Sequence, residues 1–277
     1  MESKELSIVI VTFKSELKIF DCLEAIPRYI KVIVVENSNN EFFKKEIESK
    51  YNNVNCILTG ENKGYAAANN IGLTNVETKF ALVLNPDAIL QKNAVENFLK
   101  ITIKNHDFWL IGPGNDQNVN LDFKNGNSIE VDNLKGFAIF FNMTKFNNQF
   151  FDENFFLYFE EIDLCKQVIK KNGKIYLDQR IQIKHQGASS VNKMSTFELE
   201  KNRNWHWMWS TFYYHKKYKG FLIALIIIMP KFMSSLIKIV FYTLILNKEK
   251  RDIYSFRLSG ILNSIMGKKS WYRPSLD

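Results

Sequence analysis

The chain has 277 residues, 46% of them hydrophobic, with a formal net charge of +8. That length and apolar content support a packed core and exclude a disordered chain. The charge is uneven: residues 201–277 carry 14 Lys/Arg against 3 Asp/Glu, a net of +11, which leaves −3 for residues 1–200.

Three widely spaced cysteines, Cys22, Cys56 and Cys165, give neither a disulfide framework nor a zinc pattern, and point to a reducing compartment. The N-terminal stretch MESKELSIVIVTF lacks the basic start, long apolar run and cleavage site of a signal peptide, so a cytoplasmic location is expected.

In chain order, ELSIVIVTF reads as a buried strand, Ser15 to Ile26 as a helix ended by Pro27, and KVIVVENS as a second strand. A third strand, NVNCILTG, leads into ENKGYAAANNIGL, whose Ala-rich register suits a closely packed helix. A fourth, KFALVLNPD, precedes a helix from about Lys92 to Lys104, and DFWLIGP is a fifth. This alternation predicts a parallel sheet with helices on both faces. Ligands of such sheets bind at the carboxyl ends of the strands, so Thr12, Glu36 to Ser38, Gly60 to Gly64 and Asn85 to Asp87 are expected at one crevice.

Within LVLNPDAIL the apolar run stops at Asn85-Pro86-Asp87. A carboxylate at a strand end suits a hard divalent cation that shares its shell with substrate phosphates, and Pro86, lacking an N–H, ends the ladder. The alternative is an Asx-Pro turn that only caps the next helix. In NKGYAAANNIG, Gly64 before a helix lets backbone approach a diphosphate, with Asn62 or Lys63 pointing at it; simple capping by Asn62 competes.

Farther along, FDENFFLYFEEIDLCKQVIKKNG sets Glu160, Glu161 and Asp163 at the start of a helix that turns Leu164, Val168 and Ile169 inward. First-turn carboxylates suit the helix dipole, but their aromatic surroundings also raise a carboxyl pKa and make a better base. KIYLDQ is a further strand, and His185 in IQIKHQGASS is either a ligand for metal or phosphate or a structural histidine.

Taken in order, SIVIVTF, VIVVENS, NKGYAAANNIG, LVLNPDA, KGFAIFF, FDENFFLYFEEIDLCKQVIKKNG and HQGASS, across residues 6–190, resemble the family-2 glycosyltransferases, and among them the bacterial rhamnosyltransferase-like group of surface-polysaccharide enzymes. The resemblance implies an α/β chain of GT-A (Rossmann-like) fold, with a mostly parallel central sheet flanked by helices and a C-terminal helical appendage. The expected domains are a catalytic domain over 1–200 (nucleotide-binding half 1–115, acceptor half 116–200) and a helical region over 201–277.

It also implies a nucleoside-diphosphate-sugar donor, dTDP-rhamnose or a UDP-sugar, a divalent metal (Mn2+ or Mg2+) and an inverting, metal-dependent hexosyltransferase reaction. The acceptor is expected to be a lipid-linked saccharide in O-antigen or capsule synthesis. Thr12 and Phe13 would lie beside the nucleoside, Glu36 at base or ribose, Asn62, Lys63 and Gly64 near the nucleotide, and Asn85 and Asp87 in the Asp-x-Asp position that holds metal and diphosphate; His185, read from its own surroundings in the sequence, is the further candidate metal ligand. The family's Glu-Asp pair falls on Glu160 and Glu161, with Asp163 just after; a glutamate stands where the family has its aspartate base, so the base is Glu161 or Glu160. Asn142-Met143 replaces a basic pair often found after the glycine-containing strand.

In the last quarter, WHWMWSTFYYHKKYK (205–219) interleaves aromatics and cations. The apolar stretch 220–246 is broken by Pro230, Lys231 and Lys238, and its longest clean run, Phe221 to Pro230, falls short of the roughly 20 apolar residues of a spanning helix. Interfacial aromatics and lysines suit peripheral attachment to the cytoplasmic face of an inner membrane; a buried helical appendage is the alternative. Two other classes remain open: a catalytically silent scaffold of a polysaccharide assembly complex, and a basic protein that binds single-stranded nucleic acid by stacking. The basic residues adjoin the longest apolar stretch instead of forming a polar groove, so no nucleic-acid partner is expected.

Overall fold

The computed structural model describes residues 5–104, 106–114, 128–185 and 196–273; the QGASS part of the last motif lies outside them. Two compact units are distinguished, one of residues 1–152 and 161–192 and the other of residues 153–160 and 193–277. The short aromatic segment 153–160 thus clusters with the C-terminal helices, although in sequence it lies within the region assigned to the catalytic half.

The first unit runs β1 (Leu6–Thr12), α1 (Glu16–Glu24), β2 (Lys31–Glu36), α2 (Glu41–Lys50), β3 (Val54–Leu58), α3 (Gly64–Thr74), β4 (Phe80–Leu84), β5 (Ala88–Leu90), α4 (Ala94–Lys104) and β6 (Phe108–Pro113). It continues with β7 (Ser128–Glu130), β8 (Ala138–Asn142), α5 (Glu160–Lys170), β9 (Lys174–Asp178) and β10 (Ile183–His185). Among the described strands, eight form one sheet in the order β3-β2-β1-β4-β8-β6-β9-β7, and β10 and β5 form a separate ribbon.

β1 to β4 are mutually parallel, so their carboxyl ends share one edge. The sheet is mostly parallel, as the resemblance implies, and two strands depart from the wholly parallel sheet that alternation alone predicts. β8 runs antiparallel between β4 and β6, and β7 is antiparallel to β9.

Both faces are buried because strand residues alternate between them. Ile8, Ile10, Val32, Val34 and Leu82 pack with Ile19 and Cys22 of α1, Phe43 and Ile47 of α2, and Phe98 of α4. Val9, Ile33, Val35 and Val83 pack on the other side with Ala66, Ala68 and Leu73 of α3 and with Leu164 and Val168 of α5. The small residues of α3 permit a close approach: a methyl group on Gly72 would overlap Val9 Cγ1 and come within 3.2 Å of Val35 Cγ2.

The second unit contains α6 (Thr196–Lys219), α7 (Phe221–Leu244) and α8 (Lys248–Ile265). Its core joins Met208 and Phe212 of α6 to Ala224 and Ile228 of α7 and Ile261 of α8. Two sequence readings are corrected here. α7 is one continuous 24-residue helix with Pro230 inside it, and by length and composition it could cross a membrane. The aromatics of the 205–219 stretch do not form one open interfacial or stacking surface: Trp205, Trp209 and Phe212 are buried, Tyr213, Tyr214 and Tyr218 are half-buried, and Trp207 is exposed.

Candidate active site

The Asn85-Pro86-Asp87 break is a tight turn. Ala88 N–H donates to Asn85 C=O at 3.1 Å, with Pro86 between them, in the position where its fixed φ pre-sets the bend. Asn85 N–H donates to Phe137 C=O at 2.8 Å, which ties the end of β4 to the start of β8. The turn feeds β5, and β5 pairs with β10 so that Ala88 faces His185.

That register sets Asp87 Oδ1 3.5 Å from His185 Nε2. Asp87 is 4% exposed, and its Oδ1 has no hydrogen-bond partner among the described residues. The His185 ring stacks on Phe137, with centroids 4.5 Å apart and planes at 10°. The thiol of Cys22, behind the turn, is pushed up first by burial and then by the charge of Asp87, so it stays protonated.

A buried carboxylate oxygen left without a hydrogen bond costs free energy unless a cation or ligand satisfies it. With an imidazole nitrogen beside it, the pair fits a divalent ion. No group of three or more His, Cys, Asp or Glu gathers for a metal among the described residues; a cation shared with a substrate diphosphate can be held by as few as one or two protein ligands. The described contacts of Asn85, the third expected ligand, are made by its backbone, which shapes the turn.

Glu161 approaches the same region from α5. Its Cβ, Cγ and Cδ lie 3.6, 3.7 and 3.8 Å from where a Cβ on Gly136 would stand, so the side chain lies over a backbone that has no side chain of its own. Gly136 C=O accepts from Tyr65 Oη at 2.5 Å, and the next residue, Phe137, contacts both the Asn85 turn and His185. One dipeptide, Gly136-Phe137, therefore connects Glu161 with the Asp87–His185 pair.

Burial pushes the Glu161 carboxyl above the usual glutamate range, against the opposing effect of its own N–H and that of Ile162. Asp163 is fully buried and accepts from Gln167 Nε2 at 2.6 Å, an intrahelical role. Glu160 is buried and belongs to the second unit, the division falling between it and Glu161.

At the ends of β1 to β3 the remaining expected residues form one hydrogen-bonded loop system. Asn37 N–H donates to Thr12 C=O at 2.8 Å. Asn37 Nδ2 donates to Asn62 Oδ1 (3.0 Å) and Gly64 C=O (3.3 Å), and its Oδ1 accepts from Lys63 N–H (2.8 Å) and Thr59 Oγ1 (3.1 Å). Gly64, at φ +82°, donates its N–H to Asn62 Oδ1 at 3.0 Å.

Two readings change as a result. The N–H groups of Lys63 and Gly64, expected to face a diphosphate, are taken by asparagine side chains, and Lys63 Nζ is turned onto Glu61 at 2.5 Å. The Glu36 carboxylate accepts from Ser38 N–H and Oγ and from Asn40 N–H, closing the turn before α2. Thr12 Oγ1 is buried with no partner among the described residues. Phe13 is half-buried and bonds through its backbone to Ser15 Oγ. Asn37, which the sequence offered only as one of three polar residues closing β2, is the organising side chain of this loop system.

The sequence matches the family model described as glycosyl transferase family 2 over residues 7–165. A curated relative, the low-salt glycan biosynthesis hexosyltransferase Agl10 of Haloferax volcanii, is 26% identical over 198 residues, which are 62% of this chain and 64% of the relative. The match thus spans under two thirds of that relative's length. Among solved structures, S. aureus TarS 1–349 in complex with UDP-GlcNAc has a TM-score of 0.52 at 15% identity, covering 99% of this chain and 97% of that one. The mannosyltransferase PcManGT of Pyrobaculum calidifontis, in complex with GDP-Man and Mn2+, has a TM-score of 0.57 at 11% identity, covering 96% and 88%. These likenesses identify the architecture as a GT-A fold, and with a family match over more than half its length the chain belongs to glycosyl transferase family 2.

Proposed function

We propose that the protein is an inverting glycosyltransferase that moves a sugar from a nucleoside diphosphate to a hydroxyl of a lipid-linked saccharide in surface-polysaccharide (O-antigen or capsule) synthesis. The carrying observation is that Asp87 Oδ1, buried and without a hydrogen bond, stands 3.5 Å from His185 Nε2, with Gly136-Phe137 connecting this pair to Glu161. Family membership supports the reaction class. Solved structures of the same fold hold UDP-GlcNAc in one case and GDP-Man with Mn2+ in the other, in keeping with a nucleotide-sugar donor here. The rhamnosyltransferase-like motifs favour dTDP-rhamnose, with a UDP-sugar as the second choice.

Asp87 and His185 would hold a divalent ion, and the mixed oxygen and nitrogen donors favour Mn2+ over Mg2+. When bound, such an ion supplies neutralisation of the charge that grows on the departing diphosphate. Glu161 accepts the proton of the acceptor hydroxyl while that oxygen bonds to the anomeric carbon and the carbon–phosphate oxygen bond breaks. Its raised pKa makes it the stronger base, and Glu160, its neighbour in the chain, is the other candidate. The Thr12, Asn37 and Asn62 loop system forms the floor for the nucleoside, and Pro86 fixes Asp87 relative to β4. Attachment to the cytoplasmic face of the inner membrane would bring the site to its acceptor.

The test is a thermal-shift and donor-consumption panel of UDP-, dTDP- and GDP-sugars with and without Mn2+. One donor should stabilise the chain by mass action, at 100 times its Kd by about 2.7 kcal/mol, and should be consumed when acceptor is supplied. Binding without hydrolysis or transfer would favour the silent scaffold, and no binding by any donor would overturn the reading.

A further inference from the structure

α7 carries an exposed apolar stripe that the helical unit leaves uncovered. Leu222, Ile226, Met233, Ile237, Val240 and Leu244 are 47–77% exposed. Their steps of four, seven, four, three and four residues put them on one side of a helix with roughly 3.6 residues per turn. Scattered single apolar residues are ordinary on a protein surface, but a continuous stripe along a whole helix marks an interaction face.

The two charges within α7 avoid that stripe. Lys231 and Lys238 fall on the opposite side, and Lys238 Nζ donates to Tyr254 Oη of α8 at 3.0 Å. Cations instead bracket the helix: Lys216, Lys217 and Lys219 close α6, and Lys248, Lys250 and Arg251 open α8.

We infer that α7 lies in the plane of an anionic bilayer surface, its stripe sunk among the acyl chains and the two cationic clusters on the headgroups. The arrangement selects this occupant over others. A basic cluster at each end suits a helix with both ends at headgroup level. A spanning pose is disfavoured by the neighbours: Ala224 and Ile228 are packed against α6 and α8, and Tyr242 stacks on Tyr254 at 5.6 Å. Inserting α7 across the bilayer with α8 packed on it would draw Arg257 of α8 into hydrocarbon, where a charge is costly. A second copy of the chain on the stripe would bring together two ends that each carry net positive charge, with only Glu249 and Asp252 set against Lys216, Lys217, Lys219, Lys248, Lys250 and Arg251. The inference rests on the proposed transferase reading only for the purpose of the attachment, a lipid-linked acceptor.

Co-sedimentation of the full chain with phosphatidylglycerol-containing vesicles and with pure phosphatidylcholine vesicles, at low and high salt, tests it. The chain should bind the anionic vesicles, release partly in salt, and be extracted fully by alkaline carbonate. The exposed-face variant Ile226→Asp/Ile237→Asp should keep its helical circular dichroism and lose at least about tenfold in vesicle partitioning. Equal binding to both vesicle types, resistance to carbonate, or a variant that binds like the native chain would overturn the inference. So would a dimer in sedimentation equilibrium that this variant dissociates while vesicle binding is unchanged. Donor-induced stabilisation, measured on the same variant, should be unaffected; its absence in the native chain would count against the transferase reading and leave the membrane result standing.

Discussion

Replacing Asn37 with alanine probes the floor of the candidate site. The side chain is 2% exposed and makes four hydrogen bonds, two donated by Nδ2 and two accepted by Oδ1. Thr59 Oγ1 has other acceptors in Glu36 C=O and Glu61 C=O, and Asn62 Oδ1 keeps the Gly64 N–H, so those partners are satisfied without Asn37. Lys63 N–H loses its acceptor, while Gly64 C=O, which opens α3, keeps the i+4 bond of the helix. At roughly 1–3 kcal/mol for a buried group left unsatisfied, the loss comes to about 2 kcal/mol, or about 4–8 °C in the unfolding midpoint of a unit this size. Urea unfolding followed by circular dichroism measures it, and the donor-induced thermal shift should shrink in parallel because the loop before α3 is released. A change under about 0.5 kcal/mol would refute the assignment of Asn37 as the organiser of this loop.

Three further outcomes are expected. His206 is fully buried, stacked on Phe156, with Nε2 donating to Tyr272 C=O at 3.0 Å and Nδ1 accepting from Ser270 Oγ at 2.9 Å; burial, and after it the charge of Arg273, lower its pKa to about 3. Because the unfolded chain protonates near 6.5, the stability of the helical unit should be full above that pH and fall as pH drops from 6.5 toward 3, by about 2 kcal/mol at pH 5; tryptophan-fluorescence unfolding at several pH values checks it, and a flat profile contradicts it. Gly260→Ala would drive a methyl group into Trp205 C=O of α6, so despite alanine's better helix propensity, worth about 1 kcal/mol, it should destabilise the helical unit by about 1–2 kcal/mol net in thermal unfolding. Asp87→Asn removes the carboxylate charge beside His185, and Mn2+ affinity, titrated in the presence of nucleoside diphosphate, should weaken by at least about tenfold, since hard cations favour carboxylate oxygen; unchanged Mn2+ affinity would separate Asp87 from the metal.

Much of the fold was legible because the strands β1 to β4 are predominantly apolar runs, interrupted only by Ser7 in β1 and Asn55 in β3 and ended by polar or glycine residues, and such runs need few long-range facts to read. What escaped the reading has physical causes. α2 shows only Phe43 and Ile47 as its buried pair within a charged segment, so its amphipathic pattern is thin; the Asn40 cap, which accepts from Phe43 N–H, was the available signal. The direction of β8 depends on the path the chain takes between β6 and β4, and AIFFN is equally apolar either way. Pro230 looked like a break, yet a proline removes only one helical hydrogen bond and α7 continues through it.

The candidate site divides in the same way. Asp87 and Glu161 stood out by residue type and motif, but the adjacency of Asp87 and His185 comes from the pairing of β5 with β10, two three-residue strands separated by more than ninety positions in the sequence. The satisfied N–H groups at Lys63 and Gly64 depend on Asn37, on a different strand end, and no local pattern announces that bond.

The central claim is that Glu161 takes the acceptor's proton beside a cation held at Asp87. The most direct measurement is the transfer rate of Glu161→Gln at saturating donor, with donor affinity determined on the same preparation. The account predicts a rate lower by at least about a hundredfold, the low end for a lost general base, with donor binding preserved. Transfer at the native rate would contradict it.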